Sequence, residues 1–188
     1  MSDLVPHAGP DLKTLFGLFP PTDDPPAYQL VPAESVPEPY RGLLVHNHHM
    51  TVTVEAFYGD LVDVRVVERR RTADDYARKI LLALRRTGQI VQFGIMRIWF
   101  QYCSEEVRKE IVAEATPLGR ILIEHGILRR IEPTTYLKTT PSPAMMKWFG
   151  LAEPTTTYGR LAIIHCNRQP AVELLEIVAP VPLDYQPP

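Results

Sequence analysis

The segment YARKILLALRRTGQIVQFGIMRIWF, residues 76 to 100, leaves the chain few choices of fold. Two strand-like apolar runs flank Thr87-Gly88, and glycine there admits the left-handed backbone of a tight turn, so the segment is expected to form a β-hairpin. LVDVRVVERRR, 61 to 71, alternates cleanly and reads as a further strand before a turn at Asp74-Asp75. YGRLAIIHC, the turn NRQP and AVELLEIVAP read as a closing hairpin. Between the hairpins, SEEVRKEIVAEA opens with Ser104 as an N-cap and acidic residues in its first turn, which predicts a helix. Thr116-Pro117 repeats the start signal with Pro at the first helical position, and Gly126 ends that helix. ILRRIEPTTYLKT is extended, and SPAMMKWFGL is a short Ser-Pro-capped helix. Hairpins with helices clustered between them imply an α+β fold with a mostly antiparallel sheet.

Nine of the nineteen prolines precede Arg41, and FPPTDDPPAYQLVP cannot sustain a helix or an interior strand. Residues 1–39 are therefore expected to form an extended arm, packing on the body through Leu15, Phe16, Leu18 and Phe19, with one domain over 40–188. The 188 residues are 45% apolar, enough for a single core. A formal charge of -2 shows no footprint for nucleic acid or anionic lipid, which leaves a small partner or none as the expectation. The isolated Cys103 and Cys166 fit buried filler in a reducing compartment. With no signal-peptide pattern and no span of about 20 apolar residues, the expectation is a cytoplasmic protein, monomeric or a small homo-oligomer.

Several residues stand out chemically. In a strand, Arg78 shares the more apolar face with Tyr76, Ile80 and Leu82, where a guanidinium needs a partner such as a carboxylate; an internal salt bridge or a snorkelling side chain is the plainer alternative. Glu176 shares an apolar row with Val172, Leu174 and Val178, and Glu173 lies on the opposite face. Either acid could be inside, and an ion pair with Arg78 is the plainer reading for it. In TPLGR, 116 to 120, the backbone N–H groups of Leu118 and Gly119 fall in a first turn, where an anion is favoured and Gly119 would let a ligand come close. His46, His48 and His49 share no single face in either strand or helix, so polar turn residues are expected there rather than a metal site. TVTVEAFY alternates like a strand, yet Met50, Val54, Phe57 and Leu61 also make one helical stripe.

Taken in order, LL, MTxxxE, a strand, YxRxILL, a TG turn, TPLGRxL and a terminal EIVAP are similar to the chorismate lyase family over Tyr40 to Pro180. That resemblance implies removal of pyruvate from chorismate to leave 4-hydroxybenzoate. It also implies one α+β domain, an antiparallel sheet with helical flaps over a buried aromatic acid, and neither metal nor cofactor. Carried over, Arg78 would clamp the ring carboxylate, Met50 and Leu118 would add backbone donors to that group, and Glu176 would meet the hydroxyl across the ring. The resemblance places MTVTVEAFYG on a helix, against the β-branched propensity of its residues. The Pro170 to Pro180 segment is one residue longer than the enterobacterial pattern, so Glu173 competes with Glu176, and Thr134 to Thr157 departs from the pattern. Related folds serve as effector-sensing domains, so a ligand-binding module, or an enzyme acting on another aromatic or enolpyruvyl acid, is the alternative function.

Overall fold

Among the residues that the computed structural model describes (9–21, 25–182 and 185), seven strands form one antiparallel sheet. They are β1 (Ala27–Val31), β2 (Val62–Arg71), β3 (Asp75–Leu84), β4 (Ile90–Trp99), β5 (Arg129–Thr140), β6 (Thr157–Cys166) and β7 (Gln169–Val178), in the order β1-β5-β6-β7-β4-β3-β2. The two hairpins expected from the sequence are β3–β4, turning through Gly88 at φ +73°, and β6–β7, turning through Asn167 and Arg168, both at positive φ. The expected single-sheet α+β architecture is the one observed. Residues 1–8, 22–24, 183–184 and 186–188 lie outside the described residues.

The arm does more than lean on the body. Its prolines still leave room for a one-turn helix, α1 (Leu12–Phe16), capped by Asp11, and for β1, which pairs with β5 as an edge strand. An edge position tolerates a proline-flanked strand, because only one side of it needs ladder hydrogen bonds. Leu12, Leu15 and Phe19 are buried against Phe93, Ile95 and Leu175 on one face of the sheet, together with Met145 of α6 (Pro143–Phe149). The arm, expected to pack on the body, supplies part of the sheet and part of the core.

The opposite face carries four helices: α2 (Tyr40–Leu44), α3 (Met50–Tyr58), α4 (Glu105–Ala113) and α5 (Leu118–Glu124). In α3 the four β-branched residues from Thr51 to Val54 oppose helix by at most about 3 kcal/mol in total. Burial of Met50, Val54 and Tyr58 at i, i+4 and i+8 contributes roughly 1.5–3 kcal/mol for each, so tertiary packing outweighs propensity. Gly59, at φ +60°, ends the helix in the left-handed conformation. Ser104 caps α4 through the Val107 N–H, as expected, but α5 starts differently. Pro117 itself is the N-cap, and the Thr116 side chain makes no capping bond. Leu118 and Gly119 therefore occupy the first two helical positions.

Two apolar clusters form on this face. One gathers α4, α5 and the Tyr76 end of the sheet, the other gathers α2, α3 and the Leu82 end. Cys166 is buried in the first cluster with Cys103 packed beside it, and burial pushes both thiols up to about 11.

Candidate functional site

The seam between those clusters is set by strand register. Arg78 stands opposite Met96, and Met96 opposite Leu174. The next row is Ile80, Gly94, Glu176 and Arg160; the row after that is Leu82, Gln92 and Val178. Successive rows on one face are roughly 7 Å apart, two residues of strand. Gly94 contributes no side chain to the middle row, so a cavity opens above it. The first residues of α3 (Met50, Thr51) and of α5 (Leu118, Gly119) close it from above, together with His49 and Pro117. Room for the centres of water-sized molecules is about 50 Å³, several times the roughly 10–15 Å³ that one water requires.

Met50, Arg78, Leu118, Gly119 and Glu176 all line this one cavity, although they come from four different elements. Glu173 does not. It points to the other face, where its carboxylate lies 3.8 Å from Arg97. Between the two acids left open by the sequence, geometry selects Glu176.

Arg78 is 1% exposed. Its guanidinium reaches the Ile111 carbonyl at 3.5 Å, and no carboxylate among the described residues lies within ion-pair distance of it. Burial works against its charge, offset only by the nearby Tyr76 hydroxyl and by Glu114, to which Tyr76 donates. Both plainer readings of Arg78 fail here: it is neither salt-bridged nor snorkelling. A buried guanidinium with most of its donors uncommitted favours an anion of planar, two-oxygen shape.

Glu176 does not pair with Arg78. Its partner is Arg160, whose Nε donates to Glu176 Oε2 at 2.7 Å. Arg160, also 1% exposed, donates further to the carbonyls of Leu44, His46 and His48 at 3.0, 2.9 and 3.2 Å. One side chain thus satisfies the buried carboxylate and staples the loop before α3 to the sheet. The sequence carried the signal for it: Arg160 alternates with Tyr158, Ala162 and Ile164, the same pattern of a charge in an apolar row that singled out Arg78.

The histidines also have definite roles. His46 Nε2 donates to the Leu43 carbonyl at 2.7 Å while Nδ1 accepts from the His48 N–H at 3.1 Å, which requires the neutral ring. His49 Nε2 accepts from Arg129 Nε at 2.8 Å, again a neutral ring. Burial first, then the neighbouring Arg160 for His46 and Arg129 for His49, lowers both to about 4. His49 is buried at the cavity wall rather than in a solvated turn. It separates the cavity from an outer cleft lined by His48, Val52, Ile123, Leu128 and Arg129. Gly119 packs against this ring: a Cβ there would lie 3.0 Å from His49 Cβ, Cγ and Nδ1. Gly119 thus lets α5 approach His49 closely while it also lines the cavity.

The sequence matches no family model and no curated protein. It does share its fold with solved structures. PhnF from Mycobacterium smegmatis superposes with a TM-score of 0.54 at 15% identity, over 70% of this chain and 63% of that one. More loosely similar are the ligand-binding domain of a protein described as a GntR-family transcriptional regulator from Bordetella bronchiseptica (TM-score 0.49, 13% identity, 66% and 87% of the two chains) and the effector-binding domain of the Bacillus subtilis trehalose repressor (0.42, 10%, 66% and 96%). The likeness is one of fold, a single antiparallel sheet with helices, and it rests on PhnF. No helix among the described residues is long and apolar enough to cross a membrane.

Proposed function

We propose that this protein is a binding module for a small aromatic carboxylate, with the ring over Gly94, the carboxylate on Arg78 and a hydroxyl toward Glu176. The observation that carries the reading is the buried Arg78 guanidinium facing a cavity without a carboxylate partner among the described residues. A cation placed so is costly unless an anion joins it, and a bound carboxylate would bring the two-oxygen geometry the fork favours. The backbone N–H groups of Met50, Leu118 and Gly119 begin two helices at the cavity wall, and neither helix uses them internally. Neighbours described as ligand- or effector-binding domains accord with this role.

The second reading is chorismate pyruvate-lyase activity, favoured by one further observation: Glu176 shares the cavity with Arg78, and these are the two groups the chorismate lyase resemblance implies. On that reading Arg78 would hold the ring carboxylate and so orient the reactive conformer. The C4–H bond and the C3 ether bond of chorismate would break, the ring would become aromatic, and the departing enolpyruvyl group would take up a proton as pyruvate. Glu176 would hold the C4 hydroxyl through that charge shift.

Titration calorimetry with 4-hydroxybenzoate, beside a coupled assay for pyruvate released from chorismate, tests both readings. Binding without pyruvate supports the module, and binding with pyruvate supports the lyase. Absence of both removes the aromatic carboxylate from the site.

A further inference from the structure

Gln92 is 2% exposed in the third row of the cavity wall, and its Oε1 is buried without a hydrogen-bond donor. Gln92 and Glu176 are diagonal neighbours across the β4–β7 pair, on the side of Gly94 away from Arg78. At such a diagonal the side chains are roughly 7–8 Å apart at their bases, close enough for both to reach one ring. At the far end of the cavity lie two acceptors: the carboxylate of Glu176, of which one oxygen is engaged by Arg160, and the amide oxygen of Gln92, buried in the wall beside it. A single hydroxyl has one proton to donate. If Glu176 accepts it, Gln92 Oε1 remains unpaired in an apolar wall, and a buried acceptor left so opposes binding.

We propose that Gln92 makes this a site for aromatic acids bearing two adjacent hydroxyls opposite the carboxylate, one donating to Glu176 and its neighbour to Gln92. The proposal rests on the reading of the cavity as a carboxylate site and adds the substitution pattern of the ring. Gln92 acts as a specificity residue, because a site built around a hydrogen bond discriminates against the analogue that lacks the donor.

The test is calorimetric titration of benzoate, 4-hydroxybenzoate and 3,4-dihydroxybenzoate into the wild-type protein and into Gln92→Met, which keeps the length of the side chain and removes the amide. In the wild type the second hydroxyl is expected to improve affinity about tenfold over 4-hydroxybenzoate, the ratio that about 1.4 kcal/mol carries. In Gln92→Met that step is lost, while affinity for benzoate holds or rises. Equal affinity of the wild type for the two hydroxylated acids, or a step that survives in Gln92→Met, overturns the proposal and leaves the carboxylate site standing. Failure of all three acids to bind the wild type overturns the carboxylate reading itself. Thermal melting adds a check without ligand: an unpaired amide replaced by a thioether should leave the melting temperature equal or higher, and a lower one contradicts the premise.

Discussion

Replacing Arg78 with Met separates two effects that a structural arginine would move together. The guanidinium is 1% exposed, it donates to a carbonyl at 3.5 Å with the Tyr76 hydroxyl close by, and no carboxylate among the described residues pairs with it. Removing a buried charge so poorly compensated is expected to stabilise the fold, by about 1–4 kcal/mol by analogy with apolar replacement of buried ionic groups. At roughly 2–4 °C per kcal/mol for a chain of this size, the melting temperature should rise by several degrees. Affinity for a carboxylate should move the other way, falling by about 2–5 kcal/mol, or roughly 30- to 5,000-fold. Melts followed by circular dichroism with and without 4-hydroxybenzoate read both quantities. At a ligand concentration of about 100 times the wild-type Kd the wild type gains roughly 2.7 kcal/mol, whereas Arg78→Met should gain at most about 0.9 kcal/mol. A variant that melts lower than the wild type yet keeps its ligand-induced shift would refute the reasoning, since Arg78 would then be structural and uninvolved in binding.

Glu176→Gln leaves Arg160 buried without its charge partner, so a loss on the order of 3 kcal/mol in urea unfolding is expected, together with weakened binding of hydroxylated acids. Glu173→Gln, on the other face, should leave the binding unchanged by calorimetry. The folded state holds His49 at about 4, below its ordinary 6.5, so between those values the unfolded chain takes up a proton that the folded one refuses. Stability is then complete above about pH 6.5 and falls as the pH drops toward 4, by about 3 kcal/mol for a group this buried. Melts across that window should show it, with a shallower slope in His49→Gln. Gly119→Ala places a methyl group 3.0 Å from the His49 ring; a cost of about 1–3 kcal/mol in stability is expected, and a neutral result would mean that α3 and α5 are not held at this spacing.

Sequence alone determined the elements whose signals are local. The alternation in 61–71 and 76–99, the Gly88 turn, the Ser104 and Ser142 caps and the closing hairpin needed nothing beyond period and turn chemistry. It also marked Arg78 and Glu176, because a charge interrupting an apolar row is visible in one strand at a time. Local signals failed where long-range packing decides. Thr51 to Val54 form a helix because Met50, Val54 and Tyr58 are buried beside α2 and the Leu82 end of the sheet, and β1 forms because the edge of β5 was open to pair with it. Which acid faces the cavity, why Glu176 answers to Arg160 rather than Arg78, and where Gln92 stands across from them depend on register among β3, β4, β7 and β6. Register joins residues as far apart in the chain as Gln92 and Val178, and no short window of sequence contains both partners of such a pair. The cavity exists because Gly94 falls in the middle row between Ile80 and Glu176, a coincidence of strand alignment that only the assembled sheet creates.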